Sequence, residues 1–468
     1  VTEPPAPARP APVERPIPAV LLALALPVLA SQALRLSYQW VDALWVRGLG
    51  VEATAAITTS IFVLWAVYSL NDVFAIGVIA YVSQLLGAGE RARAGVAAFK
   101  GIRASFLLGL IGTACGVFLA RPIYGLMTQD PRMIEAGSSY LSILLGGAPL
   151  LMVALTCEGV MRAAGDTRTP LLLDLFAIGL NAVLDPILIY GWGPAPALGV
   201  AGAAWATIIA QAVLVASYLT LALRGHPAFP LARRAAGPPI RIAGMARVGA
   251  PAAVIGVLFS AVYVAFARSA AQFGGAAMAV VGIANRIEAL QFISSVAIGS
   301  AGASVVGQSI GAGRPDRAVQ ALLTGVRWNL WLTGIMTVLF LAIPGPFIAL
   351  FTQDPEVMRL GVPYLRILAL CFILNGVEIV TAECILGSGH TVVLSTIFTS
   401  FSLVRIPLAF LVPAWTGSGV LGIAWVITVT CAIRGLLIIA WAARGTWKSG
   451  LRGELHGPGS PVSTAEGA

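Results

Sequence analysis

The sequence predicts an all-α polytopic membrane protein, with twelve transmembrane helices in two homologous six-helix bundles related by a pseudo-twofold along the membrane normal. Three observations carry this: the composition, the spacing of apolar runs, and an internal repeat. The chain has 468 residues, 58% hydrophobic and 10% charged, with a mean hydropathy of +0.90. An average soluble domain carries about 25% charged residues, so a multidomain soluble enzyme is excluded. A bilayer-spanning helix needs about 20 apolar residues, and such runs fill most of this chain.

Taken in order, residues 1–17 are rich in proline and read as a disordered tail. Apolar runs bounded by charges or by Gly and Pro then predict spans at 18–46, 55–86, 104–127, 137–161, 170–191 and 199–223. A basic linker at 224–246 follows. The second set runs 247–271, 276–310, 326–351, 362–386, 392–414 and 418–443, and residues 444–468 read as a disordered tail. The run Ala19–Ala30 also has the length of a signal-peptide core, a reading that the repeat below argues against.

Basic residues sort by side. The termini and the loops on their side hold 19 Lys and Arg, the opposite loops hold 5, and 5 arginines lie within spans. Short loops retain basic residues on the cytoplasmic side, so both termini are expected in the cytoplasm and the chain in the cytoplasmic (inner) membrane. Scattered loop charge of this kind signals topology and not nucleic-acid binding. The five cysteines fall in apolar runs without paired spacing, so neither a disulfide framework nor a zinc site is expected.

The repeat orders everything else. Gln84-Leu-Leu-Gly-Ala-Gly-Glu-Arg-Ala-Arg-Ala94 returns as Gln308-Ser-Ile-Gly-Ala-Gly-Arg-Pro-Asp-Arg-Ala318, shifted by 224 positions. At the same shift Thr128-Gln-Asp-Pro131 returns as Thr352-Gln-Asp-Pro355, Tyr140 as Tyr364, Pro27 as Pro251 and Gly165 as Gly389. Gly199-Val-x-Gly-x-Ala-Trp205 returns at 419–425, shifted by 220. Six spans per half is an even number, so both halves start on one side and their axis runs along the membrane normal. Because Pro27 matches Pro251 inside the chain, the first helix is a structural span.

Charged groups within spans are costly unless paired or wet, and each is a functional candidate. The acids are Asp42, Asp72, Glu158, Asp174, Asp185, Glu288, Glu378 and Glu383; the arginines are Arg35, Arg286, Arg366, Arg405 and Arg434. Glu158 and Asp174 lie near the 162–169 loop and read as interfacial. Arg286 and Glu288 are two apart and do not share a helix face, so each pairs elsewhere. Glu378 and Glu383 line a polar path or satisfy Arg366 or Arg405. Asp42 and Asp185 stand out because the second half has Phe266 and Ile406 in their places. An acid retained in one copy of a duplicated scaffold points to an ion or proton site in that copy. Asn181 sits four residues before Asp185 on one helix face, and Pro186 removes a backbone donor beside it.

Four strings then resemble the multidrug and toxic compound extrusion (MATE) family. They are Val41-Asp42-Ala-Leu-Trp-Val-Arg-Gly-Leu-Gly50, Ser83-Gln84-Leu-Leu-Gly-Ala-Gly89, Met161-Arg-Ala-Ala-Gly-Asp-Thr-Arg-Thr-Pro170 and Gln308-Ser-Ile-Gly-Ala-Gly313. The match runs from about 18 to 445 and looks most like the prokaryotic DNA-damage-inducible subgroup. The resemblance implies a secondary antiporter, not an enzyme, that exports amphipathic, often cationic drugs against H⁺ or Na⁺ by alternating access. It implies no cofactor beyond the coupling ion and no nucleic-acid partner, with a monomer in the lipid bilayer as the default. Carried over residue by residue, it places proton or Na⁺ coupling at Asp42, Asn181, Asp185 and Thr207. The other bacterial subgroup has a coupling Glu on the seventh helix, where this chain reads Val257-Leu-Phe-Ser260-Ala. Tyr38, Trp40, Trp45, Trp65, Phe266 and Glu378 are the expected cleft lining. A flippase of lipid-linked intermediates and an exporter of one metabolite are the alternatives; an integral-membrane enzyme would need a clustered catalytic set, which the sequence lacks.

Overall fold

The computed structural model describes residues 16–128, 130–192 and 196–456. Fifteen α-helices and no strand are found among them. The first bundle comprises α1 (Ile17–Val46), α2 (Val51–Gly87), α3 (Arg91–Met127), α4 (Pro131–Gly146), α5 (Ala148–Ala163), α6 (Arg168–Tyr190) and α7 (Val200–Leu223). The second comprises α8 (Ile242–Ala271), α9 (Gly275–Gly311), α10 (Pro315–Ala342), α11 (Pro344–Ala349), α12 (Pro355–Leu386), α13 (Val392–Thr416) and α14 (Val420–Ala443), with a short α15 (Arg452–His456) beyond it. Eleven helices are long and apolar enough to cross a membrane, and the bent pair α4–α5 brings the total to twelve. Exposed apolar residues such as Val117, Phe118, Leu172 and Val338 cover the outside, a surface that lipid and not water must solvate.

Where the apolar reading stopped at a charge, the helices continue. α3 starts at Arg91 instead of 104, and α10 at Pro315 instead of 326, because Arg and Ala sustain a helix turn that leaves the bilayer. The predicted fourth span is broken: α4 and α5 meet at Gly147 with a 50° bend. Gly146, Gly147 and Pro149 supply the break. The second copy carries Leu370, Cys371 and Ile373 at the corresponding positions, and there α12 runs through. The predicted ninth span ends early at Ala342, and Pro344 opens the separate α11.

The repeated Thr-x-Asp-Pro strings are helix caps. Asp130 Oδ1 accepts from the backbone N–H of Arg132 (2.9 Å), and Asp354 Oδ1 accepts from those of Glu356 (2.8 Å) and Val357 (3.1 Å). Pro131 and Pro355 occupy the first helical position, where no N–H is needed. Gly165 and Gly389, the other shared signal, both adopt φ +83° in the turns before α6 and α13, a left-handed conformation that favours glycine.

The bundles meet at the end that carries the start of α1, the end of α14 and most basic loops, the basic end. α2 packs on α8 and α9, and α1 packs on α9. The start of α1, with Ile17, Val20, Leu21 and Leu24, is buried in a core cluster of the second bundle; Met245 and Val248 of α8 are buried in that of the first. The first helix of each half therefore leans across the seam at the basic end. There α2 and α9 cross backbone to backbone. A Cβ on Gly87 would lie 2.0 Å from Gln308 O, and one on Gly311 would lie 1.9 Å from Gln84 O. Gln84 Nε2 donates to Gly387 O (3.0 Å) and Gln308 Nε2 to Ala163 O (2.8 Å). The two glycines, the two glutamines and the two acceptor residues are each related by the 224-residue shift, so the seal is twofold-symmetric down to its hydrogen bonds.

The last differences concern the tails. Residues 1–15 lie outside the described residues. Thr446–Ser449 forms a 3₁₀ turn and Arg452–His456 forms α15, in a stretch expected to be disordered; Trp447, Leu451 and Leu455 are buried apolar anchors that hold it. Overpacking a close crossing costs about 1–3 kcal/mol. Gly87→Ala and Gly311→Ala are therefore each expected to lower the thermal unfolding midpoint in detergent, while Gly334→Ala, whose Cβ would meet no atom within 4 Å, leaves it unchanged.

Candidate functional site

The candidate site lies in the first bundle, on α6 between its neighbours α1 and α7. Asn181 and Asp185, one turn apart on α6, are buried at 2% and 0% exposure. With the Asn181 amide turned so that its nitrogen faces the carboxylate, Nδ2 donates to Asp185 Oδ2 (3.2 Å) and Oδ1 accepts from the backbone N–H of Thr207 on α7 (3.1 Å). The Thr207 hydroxyl donates to Ala203 O (3.1 Å). Asn181, Asp185 and Thr207 are thus brought together, by side chains in two cases and by backbone in the third. Pro186 follows Asp185 inside α6.

The side chains of Tyr38, Trp40, Asp42 and Trp65 lie outside the described ones, although α1, which carries Asp42, packs on α6. Trp45 is half-buried in an aromatic cluster, with ring centroids 6.5 Å from Tyr190 and 5.9 Å from Trp192. The Tyr190 hydroxyl donates to the Trp45 carbonyl. Sequence reasoning misses Tyr190 and Trp192 because they fall at a span end without a repeated string.

Two expected cleft residues are not on a cleft wall. Phe266 is 2% exposed and sits in the core cluster of the second bundle, edge-on to Tyr263 at 6.1 Å. Glu378 is fully buried and ion-paired with Arg434 of α14, neither Arg366 nor Arg405 being its partner. An unpaired charge at that depth would be costly, so the carboxylate follows the guanidinium into the interior. Arg434 also lies over the Phe398 ring at 4.3 Å. Arg366 Nε instead donates to Leu341 O (3.1 Å).

Both bundles carry further buried polar groups. In the first, Arg35 on α1 joins Glu158 on α5 (2.7 Å) and Asp174 on α6 (2.9 Å), and Arg162 approaches Glu158 at 3.6 Å. Glu158 and Asp174 are 6% and 4% exposed, so they are interior ion-pair partners and not interfacial residues. In the second, Tyr263 donates to Glu288 (3.1 Å), Arg405 donates to Thr430 (2.7 Å) and Cys431 (2.9 Å), and Asn375 donates to Gln291 (3.1 Å). Gln291 continues through Ser295 (3.0 Å) to Asn329 (2.9 Å). Among the described residues no group of three His, Cys, Asp or Glu side chains could hold a metal ion.

The family model described as MatE matches residues 27–187 and again 251–411, two stretches offset by the same 224 positions as the repeat. The chain belongs to the MatE family. MatE proteins are membrane transporters and not enzymes. Among curated relatives, a protein named FAD transporter from Shewanella oneidensis is 28% identical over 92% of this chain and 95% of its own length. A protein named probable multidrug resistance protein NorM from Thermotoga maritima is 26% identical over 92% of both chains. Among solved structures, a MOP superfamily transporter from Pyrococcus furiosus superposes with a TM-score of 0.84 at 21% identity, covering 93% of this chain and 97% of its own. A multidrug resistance MATE transporter solved in an outward-facing conformation superposes with a TM-score of 0.84 at 22% identity, with the same coverage. Both share this MatE fold.

Removing one partner of a buried pair costs about 3–5 kcal/mol, and less where, as at Arg35, one side chain is about one-third exposed. Arg35→Met is expected to destabilise the protein by about 2–3 kcal/mol on that scale. Adding Glu158→Gln and Asp174→Asn is expected to restore much of the loss, which a double-mutant cycle in thermal unfolding measures.

Proposed function

We propose that the chain is a secondary active efflux antiporter that exports amphipathic, often cationic compounds in exchange for H⁺ by alternating access between its two bundles. The observation that carries this reading is the Asp185 carboxylate, buried in the first bundle beside Asn181 and Thr207, in a family of transporters. A charge held there is costly, and taking up a cation removes the cost. The nitrogen of Asn181 is directed at Asp185 and its oxygen at the Thr207 amide. In that orientation the amide gives the carboxylate one hydrogen bond and places no second oxygen beside it, whereas Na⁺ is held by several oxygens, so we take H⁺ as the coupling ion. The family resemblance extends the same coupling role to Asp42, on α1.

The positive-inside rule makes the basic end cytoplasmic. With that end sealed by Gln84 and Gln308, the path to the cytoplasm is closed in this structure. A proton entering from outside neutralises Asp185, α6 repacks about Pro186, and substrate leaves outward. Opening the cytoplasmic seal then admits the next substrate and returns the proton. The relative named FAD transporter supports a second reading, export of a specific aromatic metabolite through the same path.

The test is dye flux in proteoliposomes. A pH gradient without Na⁺ is expected to drive efflux of a lipophilic cation, and Asp185→Asn or Asp42→Asn is expected to reduce it to the leak rate. Flux driven only by a Na⁺ gradient would overturn proton coupling. Flux of FAD and not of cationic dyes would replace drug export with the metabolite reading.

A further inference from the structure

The stretch Thr446–His456 has no place in the transport cycle described above, yet it is anchored on both sides of the bundle seam. It is continuous with α14 of the second bundle, and Trp447, 1% exposed, is buried in that bundle's core cluster with its indole N–H on Ala442 O (2.9 Å). Beyond Gly450 the chain crosses the seam. The Leu451 backbone N–H donates to Gln84 Oε1 (2.9 Å), while the nitrogen of the same Gln84 side chain donates to Gly387 O (3.0 Å). The Tyr81 hydroxyl on α2 donates to Glu454 Oε2 (2.6 Å), and Arg93 on α3 donates to Leu455 O (2.5 Å). Leu451 and Leu455, 7% and 3% exposed, are buried in the core cluster of the first bundle. On the other side, Arg247 of α8 lies 3.6 Å from Glu454.

We propose that Thr446–His456 is a strap that holds the basic end shut: tethered covalently to the second bundle and docked on the first, it must leave α2 and α3 before that end can open. This rests on the alternating-access reading. A contact made in one state only shifts the balance between states by its own free energy. Burying one leucine side chain corresponds to about a tenfold population change or more, so the strap sets how rarely the sealed end opens. The rest of the seal is twofold-symmetric, whereas the strap engages Gln84 and follows only the second half.

The test uses spin labels at two exposed positions related by the repeat, Arg168→Cys and Val392→Cys, in a Cys115→Ser background in nanodiscs. Cys115 is the exposed cysteine, and the other four are buried. Distances are compared for the full chain, for Leu451→Ala with Leu455→Ala, and for Tyr81→Phe, a near-isosteric change that removes one docking bond and keeps the core filled. The double variant, which truncates two leucines, is expected to raise the population with separated labels about a hundredfold, and Tyr81→Phe to raise it less, in the same direction. A separated population that responds to the bulk pH in the full chain but is unchanged in both variants overturns the strap and leaves alternating access standing. Labels that never separate in any of the proteins overturn both.

Discussion

The structure depends on one crossing. At the basic end α2 and α9 approach until the backbone of one fills the space where a side chain of the other would be, at Gly87 and Gly311. Only glycine permits that distance, and the distance lets Gln84 and Gln308 reach carbonyls of the opposite half. Interfaces between helices in a membrane gain little from excluding water, so close packing and hydrogen bonds carry them. A contact of this kind is specific without being greasy. At the crossing itself the contact rests on backbone packing and hydrogen bonds, while the apolar starts of α1 and α8 flank it.

The two bundles share a scaffold but not their charges. The first pairs a half-buried Arg35 with the buried Glu158 and Asp174; the second buries Arg434 with Glu378 and places Arg405 on Thr430 and Cys431. The first bundle's pairing is not duplicated: the second half has Phe259 in place of Arg35 and Ala382 in place of Glu158. Duplication retained what closes the molecule and caps its helices, and divergence settled where its buried charges sit. The Asp185 group belongs to the diverged part, with Ile406 as its counterpart.

The fold was legible because the bilayer imposes long apolar runs and the repeat fixes their number and symmetry. The Thr-x-Asp-Pro and Gln-x-x-Gly strings are visible as repeats, but their roles as cap and seal emerge only in three dimensions. Asn181 and Asp185 were legible through their four-residue spacing, which one helix converts into proximity. The Arg35 triad was not, since the two acids lie 123 and 139 residues from Arg35 in the chain and no local pattern encodes such a pairing. Phe266 was misplaced because a counterpart of Asp42 need not share its surroundings, and an aromatic ring in that position packs into the core. The strap was missed because its Gly-rich, charged sequence resembles a tail, and four residues, Trp447, Leu451, Glu454 and Leu455, supply its anchorage.

The broken fourth span gives the halves different mechanics. α12 is a single rod from its Asp354 cap to Leu386, so a force applied at one end is transmitted to the other. α4 and α5 form a jointed pair, hinged at Gly147. α4 packs on Tyr124 of α3 through Leu141 and Leu145, while α5 is held by Glu158 on Arg35 and Thr156 on Ser105, so the two arms of the joint have different neighbours. The duplication therefore sets one continuous helix opposite a jointed pair, and the joint lies in the half that contains Asp185.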